Sequence, residues 1–160
     1  DMPRFFRNLW LFRKALYNYR WYSGQHAVLP FMQTALMDMH CNIENYGLEV
    51  ESSKSKKTSK MLRAARLMEH FIEEDFVELA EAELGNLIFY RFEFEPVPVV
   101  DKETPEEKEH NSKVFARARE IEEQMWDELW SIIKGQDYSQ SKDKDWDEFF
   151  DGSGLRGWWD

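Results

Sequence analysis

Cysteine, glycine and proline are all scarce in this chain. One cysteine, Cys41, among 160 residues cannot build an intramolecular disulfide framework or a thiolate-only zinc cage, and it fits a reducing compartment. The 7 glycines and 5 prolines form neither a phosphate loop nor a dinucleotide-binding glycine fingerprint. No stretch reaches the ~18 uncharged apolar residues that a membrane span requires. The N-terminus lacks the apolar core and cleavage site of a secretory signal, so a cytoplasmic location is expected. Against these absences stand 42% hydrophobic and 16% aromatic residues, enough to build the core of one soluble domain.

Acid outweighs base, with 31 Asp plus Glu against 21 Lys plus Arg and a formal charge of −10. That average conceals a divided molecule. Residues 1–22 carry Arg4, Arg7, Arg13, Lys14 and Arg20 against Asp1 alone, a charge of +4. Residues 52–67 carry Lys54, Lys56, Lys57, Lys60, Arg63 and Arg66 against no acid, a charge of +6, so the remainder must carry −20 to bring the total to −10. An acidic remainder repels a long polyanion, which excludes coating of nucleic acid. A local basic surface still suits a small phosphate-bearing ligand.

Hydrophobic periodicity predicts an all-α, four-helix bundle-like domain. The first helix opens at Pro3 and runs to about Tyr22, with aromatic side chains on every side. Ser23 and Gly24 interrupt it. Leu29, Met32, Leu36, Met39, Ile43 and Tyr46 mark a second helix, kinked at Pro30 or beginning there and stopped at Gly47. Residues 49–59 read as a polar connector. Met61, Ala65, Met68 and Ile72 mark a third helix, antiparallel to the second and continuing to about Ala82 or Asn86. Alternation at Phe92–Glu95, with Pro96 and Pro98, predicts a short extended segment near 87–100. Thr104-Pro105-Glu106-Glu107 is a capping box opening a fourth helix lined by Val114, Ala118, Ile121, Met125, Leu129 and Ile132 and closed by Gly135. The expected division is a helical domain over 1–135 and an acidic aromatic tail over 136–160, which carries Trp146, Phe149, Phe150, Leu155, Trp158 and Trp159 and packs through its rings on the bundle or a neighbouring subunit.

Signatures of catalysis are missing. Glu107-x-x-His110 matches one half of a di-iron carboxylate site, but no second half exists and Glu107 has a capping role. His40, Cys41 and His70 could converge only if the second and third helices pair, and adjacent residues on a helix point about 100° apart. The acidic run Glu73–Asn86 resembles the magnesium helices of all-α nucleoside triphosphate pyrophosphohydrolases. One continuous helix cannot wrap its carboxylates round a metal, however, and Asn86 stands where the last acid is needed. The expectation is therefore a non-enzyme with no metal and no cofactor.

The candidate ligand site combines Lys56, Lys57, Lys60 and Arg63, a stripe at the start of the third helix, with Arg20, Trp21 and Tyr22 supplying a further cation and stacking rings. Free N–H groups and cations at a helix start attract phosphate, and aromatic rings stack on a base. The alternative is that Glu49, Glu51 or the acidic tail neutralises the stripe.

The Trp- and Arg-rich first helix, the run Tyr19-Arg20-Trp21-Tyr22, the Lys-rich stretch before Ala64-Ala65-Arg66-Leu67-Met68, and the terminal Trp158-Trp159-Asp160 resemble those of a group of small accessory proteins of tailed bacteriophages. That resemblance implies an all-helical protein acting in the infected bacterial cytoplasm. The function expected from the basic stripe and surplus aromatics is counter-defence, sequestering a cyclic nucleotide or ADP-ribose-derived immune signal without turnover. The alternative is a protein-binding inhibitor or adaptor of a host enzyme that uses the acidic surface and aromatic tail. Surplus aromatics also point to a symmetric homo-oligomer; no membrane partner is expected.

Overall fold

Two long helices, paired antiparallel, organise the first part of the chain. The computed structural model describes residues 2–88, 104–137 and 149–158. All regular structure among them is helical: α1 (Met2–Leu11), α2 (Arg13–Asn18), α3 (Gln25–Tyr46), α4 (Glu51–Glu73), α5 (Phe76–Leu84), α6 (Pro105–Lys134) and a single 3-10 turn at Leu155–Gly157. The expected all-α, bundle-like architecture is the one observed. The extended segment expected near 87–100 falls almost wholly outside the described residues.

The predicted helices differ from the observed ones mainly at breaks. Phe12, at φ −87° and ψ 4°, separates α1 from α2, and the Arg13 guanidinium donates to the Trp10 carbonyl at 2.7 Å, taking up a C-terminal carbonyl of α1. The chain turns extended at Tyr19, short of the expected Tyr22. Pro30 lies inside α3, which begins five residues earlier at Gln25. Glu74 adopts a left-handed conformation, φ 54°, and so ends α4 where one long helix was expected. The supposed connector at 49–59 is mostly helix, because α4 starts at Glu51.

The chain divides into two compact units, Asp1–Glu73 with Met125–Asp160, and Glu74–Gln124. In the first, Gln33 Nε2 donates to the Ala65 carbonyl at 3.1 Å and His40 Nδ1 to the Thr58 carbonyl at 3.2 Å, fixing the antiparallel register of α3 on α4. α4 is the central helix. Met61, Ala64, Leu67, Met68 and Phe71 are fully buried, while Leu29, Leu36 and Ile43 of α3 and Leu129 and Ile132 of α6 are also buried. Phe71 packs on Trp126 with ring centroids 4.2 Å apart.

The boundary expected at residue 135 is not where the fold divides. Gly135, at φ +72°, lies so close to the Gly154 backbone that a Cβ there would stand 2.5 Å from the Gly154 Cα. The C-terminal residues therefore return onto the end of α6 and the start of α4, burying Phe150 and Trp158. The indole Nε1 of Trp158 donates to the Gly152 carbonyl at 2.8 Å, so the ring is buried with its polar atom satisfied. Trp146 and Trp159 lie outside the described residues.

The second unit pairs α5 with the first part of α6. Phe76, Ala80, Val114, Ala118 and Ile121 are its buried apolar residues. Asn111 clamps the Ile88 backbone, accepting from its N–H and donating to its carbonyl at 3.0 Å each. The capping box forms as read: Thr104 N–H donates to Glu107 Oε2 at 2.8 Å, and Glu107 N–H to Thr104 Oγ1 at 3.3 Å.

Candidate functional site

The basic stripe faces the chain's own carboxylates. Lys57 is buried in the first turns of α4, its ammonium donating to Glu49 Oε1, with the two side chains only 8% and 19% exposed. Lys54 lies 3.9 Å from Glu51, and Lys60 lies 3.9 Å from Asp151 of the C-terminal segment. Arg63 makes a two-pronged contact with Glu128 of α6, at 2.7 and 2.6 Å. That hydrogen-bonded pairing raises the Arg63 pKa and lowers the Glu128 pKa from their ordinary values. Burial pushes the Asp151 carboxyl up, but the Ser153 hydroxyl and N–H, together with the Lys60 charge, hold it below its ordinary value. Lys56 is half-buried, and its backbone lies against Gly152. Lys57 is therefore engaged by Glu49, one of the acids nearby in sequence, whereas Lys60 and Arg63 are engaged by acids far along the chain, in the tail and on α6.

Arg20, Trp21 and Tyr22 occupy the link between α2 and α3. Trp21 is 81% exposed, Trp21 and Tyr22 meet edge-on at 5.7 Å, and the Arg20 guanidinium donates to the Tyr22 hydroxyl at 3.3 Å. The structure does not bring this trio to the basic stripe within one chain. In the register set by Gln33–Ala65 and His40–Thr58, Lys57 stands level with Cys41. Arg63 stands level with Ala35, and the trio precedes Gln25 at the other end of α3, so roughly 15 Å of helix separates the trio from Arg63 and roughly 24 Å separates it from Lys57. Within one chain the residues of the mixed site expected from sequence therefore form two separate groups.

What the fold does assemble is an aromatic surface at the N-terminal end. Phe5, Phe6, Leu9, Trp10, Leu16, Tyr17 and Tyr19 are all exposed, Trp10 to 67%. From α1 into the break that follows it, Phe5, Leu9 and Phe12 fall at i, i+4 and i+7 and share one face, since the Phe12 N–H still donates to the Asn8 carbonyl. With Leu16 of α2 and Phe31 and Met32 of α3 they line an open apolar groove of about 510 Å³. Phe12 stacks on Phe31 at 6.0 Å and Tyr19 meets the same ring edge-on at 6.1 Å, tying the groove to α3. Cations flank it. Arg7 pairs with Asp38 at 2.6 Å, and Arg13 sits over the Trp10 ring at 3.8 Å. From residue 2 to residue 37 there is no Asp or Glu, in a chain that holds 31 of them. The run of aromatics was visible in the sequence; this acid-free span is the signal that would have marked the whole region as one surface.

The other sequence candidates take structural roles. His40 Nδ1 donates to a backbone carbonyl of α4, while Cys41, its neighbour, is exposed. His110 Nε2 donates to the Asn86 carbonyl at 3.1 Å. On α5, Glu83 accepts from Arg117 at 2.7 Å, which lowers the Glu83 pKa and raises that of Arg117; Glu81 accepts from the Leu87 N–H at 2.6 Å. Among the described residues no group of His, Cys, Asp and Glu is placed to hold a metal ion, and no helix is long and apolar enough to cross a membrane. No protein-family model matches the chain, and no curated protein or solved structure is detectably similar to it.

Proposed function

We propose that this chain is a non-catalytic interaction protein, of the accessory kind that tailed phages deploy in the bacterial cytoplasm, and that it works by docking on a host protein through α1, α2 and the link to α3. One observation carries the reading: a cluster of exposed aromatic side chains with arginines among them, drawn from a span that holds no Asp or Glu from residue 2 to residue 37, on a chain otherwise rich in acid. Clusters of exposed aromatic and apolar side chains with arginine among them mark interaction sites. The burial of Phe150 and Trp158 in the core favours the N-terminal region over these two rings of the tail as the contact surface. A photo-crosslinking residue at Tyr17, 90% exposed, should give a discrete protein adduct in bacterial cells, while the same residue at Tyr46, 78% exposed but outside the surface, should give none. Absence of a Tyr17 adduct, or equal labelling at both positions, overturns the reading.

A second reading, sequestration of a small phosphate-bearing immune signal, is favoured by the trio at the link, where the Arg20 guanidinium stands beside the exposed rings of Trp21 and Tyr22. Because Lys57, Lys60 and Arg63 are engaged by Glu49, Asp151 and Glu128, the trio needs cations from a second copy in a homo-oligomer to complete such a site. Calorimetry with cyclic dinucleotides and ADP-ribose derivatives tests this directly. Heat with one of them, lost in Trp21→Ala, supports sequestration; no heat with any removes it.

A further inference from the structure

We infer that the groove between α1, α2 and α3 receives an acidic amphipathic helix of a partner protein. The inference rests on the docking function proposed above and specifies its occupant. The groove floor follows the geometry of a helix. Phe5, Leu9 and Phe12 repeat at i, i+4 and i+7 over about 10 Å of α1 and the break after it, the distance that three anchor side chains of an incoming helix span. Phe31 and Met32 form the opposite wall.

Charge and shape select this occupant over the other two that an apolar face could take. The two helices on one side of the groove, α1 and α2, carry Arg4, Arg7, Arg13 and Lys14 and no acid, and Asp38, paired with Arg7, is the first acid after residue 1. A two-fold contact between the same faces of two copies would set these cations against each other, whereas glutamates flanking an apolar stripe would meet them. A bilayer surface is flat. It would cover the outward rings of Phe6 and Trp10 but leave a groove of about 510 Å³ unfilled.

The test uses the full chain and two lactam-bridged helical peptides of the same length. Each carries leucines at i, i+4 and i+7; one has glutamate at the flanking positions and the other lysine. Fluorescence anisotropy should show at least tenfold tighter binding of the acidic peptide. Phe5→Asn and Leu9→Asn, both at exposed positions, should each weaken it at least tenfold with unchanged circular dichroism, and Arg4→Glu with Lys14→Glu should abolish the preference for acid. Equal affinity for the two peptides, no binding of either at millimolar concentration, or indifference to Leu9→Asn overturns the inference. Flotation with vesicles containing anionic lipid that is lost in Phe5→Asn replaces the helix with a lipid surface, and a dimer mass lost in Leu9→Asn replaces it with a second copy. Should the peptides fail while the Tyr17 adduct persists, the docking function stands and only the occupant is wrong.

Discussion

At the scale of single residues, backbone approach and buried charge set the most sensitive positions. Gly152, at φ +85°, lies against the start of α4, where a Cβ would stand 2.3 Å from the carbonyl carbon and oxygen of Lys56. Both the left-handed backbone and that clash oppose a side chain, and neither Lys56 backbone atom can move without disturbing the helix. Gly152→Ala should therefore cost at least about 2 kcal/mol in urea unfolding. Gly157, whose Cβ would meet nothing nearer than the Phe150 ring at 3.9 Å, should tolerate alanine within about 0.5 kcal/mol. Lys57 poses a different problem. Glu49 has one carboxylate oxygen on the Lys57 ammonium and the other buried with no hydrogen-bond partner among the described residues. Lys57→Ala should consequently destabilise by about 3 kcal/mol, since it strands a largely buried charge, while replacing both residues with apolar ones of similar volume should recover most of the loss. A double-mutant cycle by chemical denaturation reads both outcomes.

At the scale of elements, the clearest local signals govern helix ends, and tertiary contacts govern the breaks. The Thr104–Glu107 box satisfies two backbone N–H groups at the start of α6, so Thr104→Ala should cost about 1 kcal/mol through lost capping. Hydrogen exchange should show faster opening of the first turn of α6 with little change in α4. The α1–α2 break illustrates the opposite case. No glycine, proline or N-cap side chain marks Phe12. The break is supported instead by Arg13 reaching back to the Trp10 carbonyl and by Phe12 stacking on Phe31 of α3, a residue far along the chain. Likewise the first turns of α4 look like a connector because Ser and Lys dominate them. They form helix because Lys57 and Thr58 are buried, Lys57 paired with Glu49 and the Thr58 carbonyl accepting from His40 on α3.

At the scale of the whole molecule, ion pairs make stability dependent on acid. The Glu128, Asp151 and Glu83 carboxyls all titrate below their ordinary values in the folded chain. Their contribution is therefore full above the unfolded carboxyl pKa and is lost as pH falls through the lower folded values. Thermal unfolding should show a falling Tm below about pH 5, and Asp151→Asn with Glu128→Gln should flatten that fall. The sequence alone determined the helical class, the seams of α3, α4 and α6, the capping box and the uneven distribution of charge. These are local properties, set by periodicities of 3.6 residues, cap chemistry and composition. Only the tertiary structure decided where the charges point: Arg63 and Lys60 meet Glu128 and Asp151, more than sixty residues away, across the register of packed helices. It also decided which aromatics are consumed by the core. Phe150 and Trp158 of the tail are buried because the glycines at 135, 152 and 154 let the chain approach α4 and α6 closely, whereas the rings of α1 and α2 stay exposed because the open groove beside α3 leaves them little to pack against. Spacing along a chain records which face a residue occupies, but not what the opposing face will be.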